Sequence, residues 1–178
     1  SPASVTVECS ASSEPSATGT ALSGDSTATV SYSDSTVDGT GNNSVITRVW
    51  TATDPAGNST TYTQTITVVD TTAPTFTTSP ASVTVECNTS TSVSRLGTAA
   101  ASDNCDSDVT IAYADTTVTG IGNNSVITRV WTATDDNSNA STYTQTITIE
   151  DTTAPTFTTS PADVTVQCNA STAPAGTN

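Results

Sequence analysis

Apolar and polar side chains alternate one by one along most of the chain. From Thr61 to Val68 the order puts Tyr62, Gln64, Ile66 and Val68 on one side and four threonines on the other. A period of two marks an extended strand, and a β-branched polar face opposite an apolar one marks a half-buried sheet. Val5, Val7 and Cys9 alternate with Thr6 and Glu8 in the same way. Ile46, Arg48, Trp50 and Ala52 share one face of a further segment whose other face carries Val45, Thr47 and Val49. Turn formers punctuate these runs at Asp38-Gly39, Gly41-Asn42 and the stretch from Asp54 to Asn58. No helical period of useful length interrupts them. Short alternating strands with such punctuation predict an all-β chain built as an antiparallel, immunoglobulin-like β-sandwich.

The pattern is written twice and then begins again. The block from Gly41 to Asp54 returns letter for letter as Gly122 to Asp135, and the block from Asp70 to Ala81 returns as Asp151 to Ala162. The period is 78 residues from Ser1 to Ser79 and 81 from Ser79 to Ser160. That is long for a solenoid turn and suits a small domain. The expected organisation is a first repeat over 1–70, a second over 71–151, and the first strand region of a third over 152–178. At the junctions, Ala73-Pro74 and Ala154-Pro155 hold the linker extended, because proline fixes its own φ and restricts the residue before it. Short, identical, stiff linkers predict an elongated rod.

Composition narrows the partners. Seventeen acids face three arginines, with no lysine or histidine, for a net charge of −14. Such a surface argues against nucleic acid and anionic membranes, and leaves divalent cations, basic surfaces and neutral glycans. No apolar run is long enough to span a bilayer as a helix. Without histidine neither a Ser–His nor a Cys–His pair can form, and no glycine-rich phosphate loop occurs. The chain is therefore expected to have no enzymatic activity. Repeats of about 80 residues have thin cores and call for support from disulfides, metal ions or neighbours.

Val49-Trp50-Thr51-Ala52-Thr53-Asp54-Pro55-Ala56-Gly57-Asn58, followed by the run from Thr65 to Phe76, resembles the end of a hyalin-repeat (HYR-like) domain. Val83 to Cys87 and Ala101 to Cys105 fit the front of the same repeat. The resemblance covers essentially the whole chain and is closest to tandem arrays in giant surface proteins of Bacteroidetes, gliding-motility adhesins included. It implies immunoglobulin-like sandwiches, export across the outer membrane, and a cell-surface role as an adhesive shaft. It also implies O-glycosylation at Asp-Ser/Thr triplets, with Ser26, Ser35, Thr71, Thr116 and Thr152 as acceptors. Relatives carry further cysteines where this chain has Thr40, Ile121, Ala56 and Asn137, so an inherited pairing is open.

Three constellations carry candidate chemistry. Cys9, Cys87 and Cys168 are equivalent, whereas Cys105 stands where the first repeat has Gly24. Within one repeat only a Cys87–Cys105 disulfide is available, closing a loop worth about 3 kcal/mol. Against it, the end of a first strand and the loop after a second can lie at opposite poles of a sandwich, and a buried free thiol in phase with Val5 and Val7 is the alternative. The second constellation is acidic. Asp103, Asn104, Asp106 and Asp108 together with Asp135, Asp136 and Asn137 are expected at the pole beside linker Asp70. Asp70, Asp103, Asp135 and Asp136 are candidate calcium ligands there. The layout resembles cadherin junctions, and the bland alternative is a set of Asx-turns. The third is Arg48 with Trp50, repeated as Arg129 with Trp131, which reads as a packed core pair more readily than as a cation–π ligand cage.

The expected function is the structural shaft of an extracellular adhesin or surface filament. Its partners would be neighbouring repeats, other copies in a filament, and surface glycans or a substratum. The alternatives are a spacer or carbohydrate-binding module of a secreted polysaccharide-degrading enzyme, and a fibre in which Pro161 to Cys168 completes a neighbour's sheet.

Overall fold

The computed structural model describes residues 1–168 and is an all-β structure with two single-turn helices. The first repeat contributes β1 (Val5–Glu8), α1 (Pro15–Thr18), β2 (Thr29–Asp38), β3 (Ser44–Thr53) and β4 (Ser59–Val69). The second contributes β5 (Thr75–Thr78), β6 (Val83–Glu86), α2 (Val93–Leu96), β7 (Ala100–Ser102), β8 (Thr110–Thr119), β9 (Ser125–Thr134) and β10 (Ala140–Glu150).

Two four-stranded sheets share one plan, ordered β1-β4-β3-β2 and β6-β10-β9-β8. Each is an antiparallel meander with a short parallel strand added at the edge. Val5 lies opposite Ile66, and Val83 lies opposite Ile147. The faces read from the alternation are buried in their middle, at Ile46, Arg48 and Trp50 on β3 and Gln64 and Ile66 on β4, while Tyr62 on the same face is exposed. Ile127, Arg129, Trp131 and Ala133 repeat the arrangement on β9, with Gln145 and Ile147 on β10. Burying such side chains contributes roughly 1.5–3 kcal/mol for each large apolar group.

The two-sheet sandwich expected of each repeat is not formed by the first. A single sheet forms in the first repeat, and residues 10–28 cover it as α1 and loops, burying Thr18 and Ala21. The second repeat adds a β5–β7 pair, and Phe76 on β5 packs on Tyr143 with ring centroids 6.0 Å apart. Serine, threonine, glycine and alanine dominate these covering segments, so they lack the apolar alternation that would drive a full second sheet.

Arginine and glutamine in the core are satisfied as a network. Arg48 is 1% exposed and grips Asp34 through Nε and Nη2, both at 2.8 Å. Its Nη1 donates to Thr18 Oγ1 and its Nη2 to the Ser13 carbonyl, and its guanidinium lies 4.6 Å from the Tyr32 ring centroid. Gln64 accepts from Trp50 Nε1 and donates to the carbonyls of Ala3 and Thr18. These contacts make Arg48 and Trp50 a core pair that staples the covering segment to the sheet. Arg129 repeats the grip on Asp115, but Leu96 stands where Thr18 stands, and Arg129 Nη1 is buried without a partner.

From Asp151 to Cys168 the chain forms no strand. β1 and β6 are strands because β4 and β10, more than fifty residues further on, supply their hydrogen bonds. No such partner reaches Ser160 to Cys168 among the described residues. The remainder of the expected third repeat, 169–178, lies outside the described residues.

Candidate functional site

The site is the seam where the first repeat meets the second. The β3–β4 and β9–β10 hairpins turn on one device. Asp54 Oδ1 accepts the amides of Ala56 and Asn58, and its Oδ2 accepts Asn58 Nδ2 at 2.8 Å. Asp135 holds Asn139 through amide and side chain, both at 2.8 Å. Asp103 folds the loop after β7 by accepting the amides of Cys105 and Asp106, and Asp106 Oδ2 accepts the Asp136 amide from the neighbouring hairpin. These acids do form Asx-turns, and the turns aim the carboxylates.

They aim them at the linker. Asp70, Asp103 and Asp135 each bring a carboxylate oxygen within 4.8 Å of the other two. Asp70 is 5% exposed and Asp135 is 6% exposed. Asp103 Oδ2 and Arg129 Nη1 are the buried side-chain polar atoms without a hydrogen-bond partner among the described residues. No salt bridge reaches the group there: the two ion pairs are Arg48 with Asp34 and Arg129 with Asp115. Of the four candidate ligands, Asp136 is the exception: it is exposed and outside the group. A hard cation binds carboxylate oxygens, and three gathered carboxylates, one of them with an unpartnered buried oxygen, fit one. The cysteine sulfurs nearby are paired with each other and offer no thiolate, so the donor set is oxygen alone.

The cysteine expectation needs correction. Cys105 bonds Cys9 of the preceding repeat, with Cα atoms 5.9 Å apart and a separation of 96 residues, and Cys87 is free. The reason is polarity along the sheet. Cys87 follows β6 and donates its amide to the Glu150 carbonyl at the pole where β10 ends, whereas Cys105 sits beside the hairpin that opens β10, at the other pole. Cys9 follows β1 at the exit pole of the first repeat and so faces Cys105 across the seam. Burial, with the charges of Asp151 and Glu86 beside it, pushes the Cys87 thiol up.

An asparagine ladder closes the seam, and the sequence reading missed most of it. Asn43 Nδ2 donates to Asn137 Oδ1 at 2.7 Å, while Asn43 Oδ1 accepts the Asp70 amide. Asn137 Nδ2 reaches the Gly41 carbonyl at 2.8 Å and Asp70 Oδ2 at 3.2 Å. Asn42 Nδ2 donates to the Cys105 carbonyl, and Asn139 Nδ2 to the Asp70 carbonyl. The signal was present in the twice-written Gly-Asn-Asn-Ser block, where the turn needs only one asparagine. Glu8, also missed, accepts Thr71 and Thr72, and those hydrogen bonds hold its carboxyl below the usual range.

The five expected glycan acceptors, Ser26, Ser35, Thr71, Thr116 and Thr152, are all exposed. Thr71 and Thr152 already spend their hydroxyls on Glu8 and Glu86. No protein-family model matches the chain, and no curated protein matches it.

Proposed function

We propose that this chain is part of the structural shaft of an extracellular adhesin or surface filament, built from immunoglobulin-like repeats in series. The observation that carries the reading is the seam itself. A disulfide and an asparagine ladder join the two repeats, with three carboxylates gathered beside them. The disulfide supports an oxidising, extracellular location. The letter-identical linkers support repetition of the same step, and the hyalin-repeat likeness supports a surface adhesin.

In this reading Asp70, Asp103 and Asp135 hold calcium and set the angle between repeats. Without a cation, each carboxylate pair at such spacing repels by about 3 kcal/mol at an effective dielectric near 20. An ion present at a hundredfold its dissociation constant would add about 2.7 kcal/mol of stability. For a chain of this length that is roughly 5–10 °C in melting temperature. Thermal unfolding and X-ray scattering in millimolar calcium and in excess chelator provide the test. The expected result is a rise in both melting temperature and maximum dimension with calcium, weakened by Asp70→Ala and by Asp135→Ala. No change in either quantity overturns the calcium assignment and leaves stiffness to the disulfide and the proline linker.

A further inference from the structure

The exit pole of the second repeat is built like the exit pole of the first, which has a neighbour docked on it. Glu8 accepts Thr71 and Thr72, and Glu86 accepts Thr152 and Thr153. Asn43 Oδ1 holds the Asp70 amide at 2.8 Å, and Asn124 Oδ1 holds the Asp151 amide at 2.8 Å. Asp70 Oδ1 takes the Thr72 amide and Asp151 Oδ1 the Thr153 amide, both at 3.1 Å. The left-handed turn recurs too, with φ of 57° and 59° at Gly41 and Asn42 and 67° at both Gly122 and Asn123. Glu86, Cys87 and Asp151 gather as Glu8, Cys9 and Asp70 do.

What differs is the covering. Asp70 is buried under the second repeat, whereas Asp151 is exposed. Asn137 lies against Gly41, whereas nothing lies within 4 Å of the Cβ direction at Gly122. Phe157, the equivalent of the Phe76 that packs on Tyr143, is 95% exposed. Among the described residues the pole therefore takes its shape without a neighbour, and every group that grips the second repeat in the first seam is set out again.

We infer that this pole is a docking surface for a further copy of the repeat, and that Cys87 forms a disulfide with the cysteine in that copy's loop equivalent to Asp103–Asp106. This inference rests on the shaft reading and adds the covalent connectivity. In the closing step two thiols give up their protons and two electrons to a small disulfide such as oxidised glutathione. One S–S bond forms in the protein, and the oxidant leaves as two thiols.

Bridges placed this way overlap, because Cys87 lies inside the loop closed by Cys9 and Cys105. The shortest covalent path from one bridge to the next runs only from Cys105 back to Cys87. At ~3.5 Å per residue that is about 60 Å, against roughly 280 Å for a whole repeat. Under tension such a ladder extends by a small part of its contour even when every sheet has opened.

The test replaces 160–178 with a second copy of 79–151, leaving the rest of the chain as it is. The chain is then oxidised with glutathione and its disulfides are mapped without reduction. The expected result is a peptide joining Cys87 to the copied Cys105, alongside Cys9–Cys105, with loss of maleimide labelling at Cys87. Cys87→Ser should expose the copied Cys105 to the label and leave the first bridge intact. A Cys87 that stays labelled while Cys9–Cys105 forms, or a copied Cys105 bonded within its own repeat, overturns the inference. Scattering on the same sample separates the two readings. A maximum dimension that grows with the added copy while Cys87 stays free removes this inference alone. A bridge without growth keeps the bridge and removes the shaft.

Discussion

Force applied to the two ends of this chain should stop at the first bridge. The Cys9–Cys105 disulfide closes a loop of 96 residues that contains β2, β3 and β4 whole, with β5, β6, α2 and β7. Tension enters at Ser1, can peel β1 from β4, and then passes through sulfur to Cys105. The meander of the first repeat carries no load, while β8, β9 and β10 lie outside the loop and remain extensible. At ~3.5 Å per residue the shielded segment holds about 340 Å of contour. Its folded ends are only 5.9 Å apart, so nearly all of that length is hidden. Single-molecule stretching between terminal handles measures it directly. Oxidised protein should give a total contour about 340 Å shorter than the same molecule in reductant, and Cys105→Ser should match the reduced value without reductant. Equal contour lengths in all three samples would refute the connectivity. At equilibrium, closing a loop near 100 residues is worth up to about 4.7 kcal/mol in the chain-entropy account, so reduction should also lower the denaturation midpoint.

Other substitutions probe the core and the seam. Thr18→Val keeps the shape but removes the hydroxyl that accepts from Arg48 Nη1. It should cost about 1–3 kcal/mol, and Leu96→Thr, which offers Arg129 the acceptor it lacks, should recover about 1 kcal/mol, both read by urea titration. Gly41→Ala places a methyl group against the Asn137 amide at a φ of 57°, whereas Gly122→Ala meets open space at 67°. Both pay about 1 kcal/mol of backbone strain, but only Gly41→Ala should loosen the seam, seen as faster amide exchange at Asn137 and Asn139. Asp115 is held below the usual carboxylate range by its hydrogen bonds to Arg129, and Asp106 by the amides of Asp108 and Asp136. A depressed folded pKa gives stability that is complete above the ordinary Asp value and fades as pH falls through the folded one. Melting temperature should therefore drop below about pH 4, and Asp115→Asn should flatten that part of the profile.

Much of this molecule can be read along the chain. Alternation picks out Ile46, Arg48, Trp50, Gln64 and Ile66 as inward residues, because in a strand each side chain's face follows from counting by two. Asp70, Asp103 and Asp135 are expected at one pole from the loop layout of an immunoglobulin-like sandwich, and their carboxylates do gather there. Tertiary structure decided the rest. The parallel pairing of β1 with β4 and the orphaned Nη1 of Arg129 depend on segments tens of residues apart. The partner of Cys105 depended on which pole each cysteine occupies and on what the neighbouring repeat presents there. Local pattern encodes the direction in which a side chain points. What it meets is set by register and docking, which emerge only when distant strands are packed together.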